Sequence, residues 1–298
     1  MARRAGARGL PAVLSLALAL VPALPAGAAE FHPRQVGILW QVDTGRAEPS
    51  WILGTVHSDD PRVLALPAPV RRAFARARSF TAEVALDPGA ALALMGRMAL
   101  PEGERLSRML DAATWQGVKR HMGARGYPEP VVDRLKPWSV ALTLSLPRPR
   151  SGMFLDMKLY MDAVAAGKAV GGLETVDEQA SYLDDLPRAT QIAMLEAALA
   201  EQDRLPRLLE QIIDAWLKRD LNALERLSER QLRGQPAAVA QVFRQRLLRQ
   251  RNRLMVERMA PRLAEGRAFI AVGALHLPGR EGVLELLRRK GYRVTAVY

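Results

Sequence analysis

The stretch WILGTVHSDD, Trp51 to Asp60, decides the fold. A run of β-branched and aromatic residues breaks at Gly54, and His57 follows three residues later. The same grammar returns near the other end in FIAVGALHLPG, Phe269 to Gly279, where Gly273 precedes His276. The chain has four histidines, so these two G-x-x-H phrases hold half of them. Each reads as the exit of a strand into a loop and then a helix.

Working outward, GILWQVD and WILGTVH are short strand-like runs around a turn-like TGRAEPS, which predicts a hairpin with His57 at the exit of its second strand. A helix over about 68–78 follows, then a strand in SFTAEVALD, ended by Pro88 and Gly89. At the other end a basic helix over about 238–263 stops at Gly266. RAFIAVGALH reads as a buried strand, REGVLELLRRK as a helix closed by Gly291, and YRVTAVY as the last strand. Both ends therefore read strand, G-x-x-H, proline-containing loop, helix, strand. Residues 100–237 read as amphipathic helices, with apolar positions recurring at three and four, as in Leu208, Leu209, Ile212, Ile213 and Trp216. The expected fold is mixed α/β (α+β): a pseudo-symmetric, two-half central β-sheet with flanking helices and a large helical insertion. One domain is expected over 29–298, with core halves 29–99 and 238–298 and the insertion over 100–237.

The first 28 residues are set apart. Arginines at 3, 4 and 8 precede an apolar segment from about Leu10 to Leu24, and Ala26-Gly27-Ala28 supplies an A-x-A cleavage pattern. That is the anatomy of a cleavable signal peptide, with an uncleaved anchor helix as the competing reading, and it points to a periplasmic or secreted protein. The chain has no cysteine, which excludes a disulfide scaffold, a lipoprotein anchor, a thiolate metal site and a Cys nucleophile. The net charge of +12 is carried by arginines spread along predicted helices without interleaved aromatics, so nucleic acid is not the expected partner. Peripheral attraction to an anionic membrane surface stays open.

The chemistry rests on few residues. A side chain just past the carboxyl end of a strand stands where open α/β sheets build their sites, and a glycine before it permits a turn or a close backbone approach. Two neutral imidazoles delivered there suit a divalent metal if a carboxylate joins them. Glu83 is the candidate, because it interrupts the otherwise apolar FTAEVAL, and a buried glutamate without partners is costly. From the residues alone, a shared site competes with two unconnected histidines at strand ends, and Glu83 competes with a plain buried ion-pair partner. His32 and His121 carry no such context and read as solvated. A serine nucleophile lacks its G-x-S-x-G elbow, and no phosphate-binding G-x-x-x-x-G-K-[ST] loop is present.

With those residues assembled, the chain resembles the TraB/GumN family, to which the animal Tiki metalloproteases are related. The resemblance covers about residues 35–298 and rests on WILGTVHSDD, AEVALD, FLDMKLYMDAVAAGKAVGGLETVDEQ, RNRLMVERM and FIAVGALHLPGREGVLELLRRKGYRV, in that order. It implies a metal-dependent hydrolase acting on a peptide or protein, with Mn(II) or Co(II) as the usual metal and Zn(II) as an alternative. On this resemblance His57, His276 and Glu83 are the metal ligands, with Glu83 also activating water. Arg251 and Asn252 form a catalytic polar pair in which Arg251 faces a developing oxyanion. Asp156 and Glu174 lie in family-like phrases, Glu174 as a structural ion pair. Related folds include erythromycin esterase-like hydrolases and haem-binding lipoproteins. An esterase-like hydrolase and a non-catalytic ligand-, metal- or haem-binding protein are accordingly the rival expectations.

Overall fold

The computed structural model describes residues 35–85, 88–148 and 151–298. The expected signal segment and His32 lie outside them. The six strands are β1 (Leu39–Asp43), β2 (Ser50–Thr55), β3 (Ser79–Val84), β4 (Ala169–Glu174), β5 (Ala268–Gly273) and β6 (Arg293–Ala296). They form one sheet in the order β4-β3-β5-β2-β1-β6. β1 and β2 make the expected antiparallel hairpin, with Leu39 opposite Leu53. β2, β5, β3 and β4 run parallel to one another, and β1 is antiparallel to both of its neighbours. This is the mixed α/β fold read from the sequence.

The order of the strands carries the functional consequence. β5, from the C-terminal end of the chain, lies between β2 and β3, so the N-terminal half cannot complete its own sheet. β2 and β5 are buried along all six residues each, as expected for central parallel strands covered on both faces. Thr55 pairs with Gly273, so the two glycine-histidine loops leave adjacent strands at the same edge, one residue out of step. Because β3 and β4 are parallel to them, Glu83 and Glu174 also stand at that edge.

The structure departs from an all-helical middle. β4 lies within 100–237, in the AVGGLE segment, and it was missed because two glycines carry neither helical nor strand periodicity. Gly172 is required by a close approach: a Cβ there would meet the Ala85 backbone nitrogen at 2.5 Å. The middle otherwise supplies helices, among them Leu155–Ala165, Val176–Asp184 and Leu205–Leu217. No helix among the described residues is long and apolar enough to cross a membrane.

The basic C-terminal helix runs from Ala237 to Glu265 in three pieces, with π-helical turns over Phe243–Gln250 between α-helical flanks. Such turns are rare and tend to mark functional sites. Here they end immediately before Arg251 and Asn252, which are both buried. Gly266 stops the helix at φ 72°, where an added Cβ would meet the Glu48 carbonyl at 2.6 Å.

Candidate functional site

His276 stands in a short 3-10 turn, Ala274–His276, directly after β5, and is fully buried. Its Nδ1 lies 2.6 Å from Asn252 Oδ1, while Asn252 Nδ2 donates to the Glu281 carbonyl at 2.7 Å. The amide oxygen is therefore the acceptor and Nδ1 carries the proton, an assignment made from the hydrogen-bond network. Nε2 is then an acceptor: it takes a hydrogen bond from Arg251 Nη1 at 3.4 Å and lies 3.6 Å from Glu83 Oε1. Burial pushes the imidazolium down, Glu83 resists and Arg251 assists, which leaves the His276 pKa at about 4. A neutral imidazole with a fixed tautomer is the form that binds metals.

Glu83 accepts from the Gly273 N–H at 2.7 Å through Oε1 and from Arg251 Nη2 at 2.6 Å through Oε2. Burial alone would raise this carboxyl, but the Arg251 charge, His276 and the Gly273 N–H hold it at about 2. Arg251 is completely buried and also donates from Nε and Nη2 to Glu174 at 2.6 to 3.1 Å. Burial opposes its charge, yet the two carboxylates outweigh that cost and raise its pKa. Gln179, unremarked in the sequence reading, donates to Glu83 Oε2 at 3.3 Å and to Glu174 Oε2 at 3.0 Å. The signal for it was the T-x-x-E phrase of Thr175 and Glu178, a capping box that starts the helix carrying Gln179. Two carboxylates against one guanidinium give this cluster a formal charge of −1, a polarity that welcomes a further cation.

His57 sits in different surroundings. Its ring stacks on Phe154 at 4.1 Å and 21°, and its Nδ1 lies 3.8 Å from Asp156 Oδ2. Thr55, the last residue of β2, donates to the other oxygen of Asp156 at 2.6 Å. Neither His57 ring nitrogen has a hydrogen-bond partner among the described residues, although the side chain is only 10% exposed. Gly54, before it, admits the neighbouring loop: a Cβ there would meet Leu277 Cδ1 at 2.7 Å and Ala274 Cα at 3.1 Å. The first glycine thus exists for the second histidine's loop.

The structure brings His276, Glu83, Arg251 and Asn252 together and sets His57 beside Asp156 at the same sheet edge. Among the described residues no three His, Asp or Glu side chains are already gathered at the spacing of a finished metal cage. The donor chemistry nonetheless suits a divalent cation: His276 Nε2, which accepts from Arg251, stands 3.6 Å from the Glu83 carboxylate, and His57 has two buried nitrogens without hydrogen-bond partners among the described residues. Arg251, expected to face a developing oxyanion, has its guanidinium buried and hydrogen-bonded to Glu83 and Glu174. Asn252 holds His276 in one tautomer.

The model of the TraB/PrgY/gumN family matches residues 38–296. Among curated proteins, metalloprotease TIKI2 of Danio rerio is 27% identical over 317 residues, covering 86% of this chain and 60% of its own. Metalloprotease TIKI1 of Homo sapiens is also 27% identical, with coverages of 89% and 63%. Uncharacterized protein YbaP of Escherichia coli (strain K12) is 26% identical, covering 63% of this chain and 70% of its own. The chain spans about three fifths of the length of the TIKI proteins it matches. No solved structure matches it.

Proposed function

The chain belongs to the TraB/PrgY/gumN family, and we propose that it is an exported, metal-dependent hydrolase of peptides or proteins whose cation is held by His57, His276 and Glu83. The observation that carries this reading is His57, nine-tenths buried with neither ring nitrogen hydrogen-bonded, at the sheet edge where His276 Nε2 stands 3.6 Å from Glu83. Buried polar atoms that the protein leaves unpaired are rare in native proteins, and binding an ion is one way such atoms are satisfied. The naming of the TIKI relatives as metalloproteases supports the same class of chemistry.

When bound, a divalent cation polarises a carbonyl and lowers the pKa of water, which supplies the barrier reduction that amide hydrolysis needs. The protein's own groups prepare that chemistry. Asn252 keeps Nδ1 of His276 protonated, so that Nε2 stays a donor of its lone pair. Arg251, clamped by Glu174, keeps Glu83 ionised and oriented toward His276. With its carboxyl held near 2, Glu83 is a ligand or an acceptor of a water proton rather than a general acid. Mn(II) and Co(II) suit a mixed imidazole and carboxylate set, and Zn(II) is compatible with it.

The test is isothermal titration of Mn(II) and Co(II) into the protein and into His57→Ala and His276→Ala, followed by a peptide-library cleavage assay with metal added. One equivalent bound by the wild type and lost in both variants, with cleavage that chelation abolishes, is the expected result. Equal and negligible binding in all three would remove the reading.

A further inference from the structure

On the His57 side, both ring nitrogens of His57 and Oδ2 of Asp156 are buried without a hydrogen-bond partner among the described residues. The nearest of these atoms, Nδ1 and Oδ2, are 3.8 Å apart, which is too long for a hydrogen bond to join them. Yet both side chains are held firmly in place. Phe154 fixes the plane of the imidazole by stacking at 4.1 Å. Thr55 Oγ1 anchors Oδ1 of Asp156 at 2.6 Å, which leaves Oδ2 as the oxygen turned toward His57. The backbone joins the two segments as well, through Leu155 N donating to the Ser58 carbonyl at 3.2 Å. Side chains fixed in place with buried polar atoms that the protein does not pair are suited to a bound cation.

Charge says what kind. Glu83 already shares its charge with Arg251 at 2.6 Å. Asp156, among the described residues, has His57 as its one ion-pair partner and no lysine or arginine. Its charge is therefore matched by no lysine or arginine among the described residues. Two metal–ligand bonds of about 2.0–2.2 Å span up to roughly 4 Å between donors, so one ion can reach both atoms. An imidazole nitrogen with a carboxylate oxygen suits Mn(II), Co(II) or Zn(II).

We propose that Asp156 is a ligand of the divalent cation, paired with His57 through its Oδ2 and anchored by Thr55. This rests on the metal-dependent reading above and adds to it the carboxylate that balances the charge of a dication. Thr55 is then a positioning residue, since it acts through Asp156.

The experiment is Mn(II) titration of the whole protein, followed by electron paramagnetic resonance of the free ion, for the wild type, Asp156→Asn, Thr55→Val and His57→Ala. A visible spectrum of each protein saturated with Co(II) accompanies it. Loss of an outer partner typically weakens a metal site by about 10–100-fold, and loss of a ligand is expected to exceed that. Asp156→Asn, which keeps the oxygen that accepts from Thr55, is expected to weaken Mn(II) by more than about 100-fold and to change the Co(II) bands, while Thr55→Val falls within the outer-partner range. Asp156→His, which supplies a different donor, is expected to restore binding with Zn(II) favoured over Mn(II), a rescue that a merely structural aspartate would not show. It also tests the proposal if Asp156→Asn fails to fold. Wild-type binding with Asp156→Asn unchanged would overturn the proposal and leave the metal reading standing. A weakening confined to the outer-partner range with unaltered Co(II) bands would overturn it too, making Asp156 an orienting neighbour. Absence of Mn(II) and Co(II) binding in the wild type would instead sink the metal-dependent reading itself, and this proposal with it.

Discussion

The two histidine loops leave adjacent parallel strands from matching sequence phrases, yet their environments are opposites. His276 is fully enclosed, with one nitrogen bonded to Asn252 and the other facing Glu83 and Arg251. His57 stacks on Phe154 with no hydrogen bond to either nitrogen. The first arm is a finished electrostatic structure whose parts stabilise one another. The second holds polar atoms that cost stability in the absence of a ligand. Buried networks with every member satisfied rigidify a protein, while unsatisfied buried groups persist where function needs them. One arm is satisfied by hydrogen bonds within the protein, and the other is not.

The largest test of that contrast is Arg251→Met. It leaves Glu83 and Glu174 facing each other without their shared cation, and breaking a buried pair costs about 3–5 kcal/mol. Urea denaturation is expected to show that loss for Arg251→Met, whereas Asp156→Asn stays within about 1 kcal/mol of the wild type. Equal losses in the two variants would erase the distinction between the arms.

Acid should separate the arms next. Burial depresses the folded pKa of His276 to about 4, from the ordinary histidine value of about 6.5. The unfolded chain takes up the proton first, so this contribution is whole above about pH 6.5 and is lost as pH falls toward 4. At 1.36 kcal/mol per unit that is about 3 kcal/mol. Glu83, held at about 2, adds a loss in the same direction between its unfolded value of 4.5 and 2. Stability measured against pH with chelator present should therefore slope downward below 6.5 in the wild type and in His57→Phe, and flatten between 6.5 and 4 in His276→Gln. A slope that survives in His276→Gln would assign it elsewhere.

Gly54→Ala probes the seam between the arms. Its Cβ would press on the Leu277 side chain and the Ala274 backbone, and overpacking of this kind costs about 1–3 kcal/mol. A melting temperature unchanged by Gly54→Ala would mean that the loop beside β2 yields. The smallest effect is expected from His57→Phe, which replaces two unpaired nitrogens by ring carbons beside Phe154. Stability should rise by up to about 1 kcal/mol while Mn(II) binding disappears. A loss of stability greater than 1 kcal/mol would show that His57 contributes to the fold after all.

Much of this was legible in the residues. The hairpin, the strand around Glu83, the basic helix with its stop at Gly266 and the closing strand–helix–strand follow from short-range periodicity and turn chemistry. β4 did not, because its glycines are dictated by the nearness of β3 rather than by any local preference. Asn252 and Arg251 could be noticed as a polar pair, but their work could not. An arginine on an arginine-rich helix looks solvated until packing closes over it. Gln179 and Asp156 each stand in the first turn of a helix, where a polar residue needs no special explanation, and only their partners across the sheet single them out.

By itself the sequence determined most of the strands and helices, that two glycine-histidine loops follow two strands, and that a glutamate interrupts a third, apolar strand. Those are local facts, set by side-chain pattern over a few residues. The tertiary structure alone decided that β5 inserts between β2 and β3, and with that insertion which carboxylate each histidine meets. Glu83 falls to His276 and Asp156 to His57 because sheet order and helix packing join residues 193 and 99 positions apart, and no local pattern encodes that arrangement.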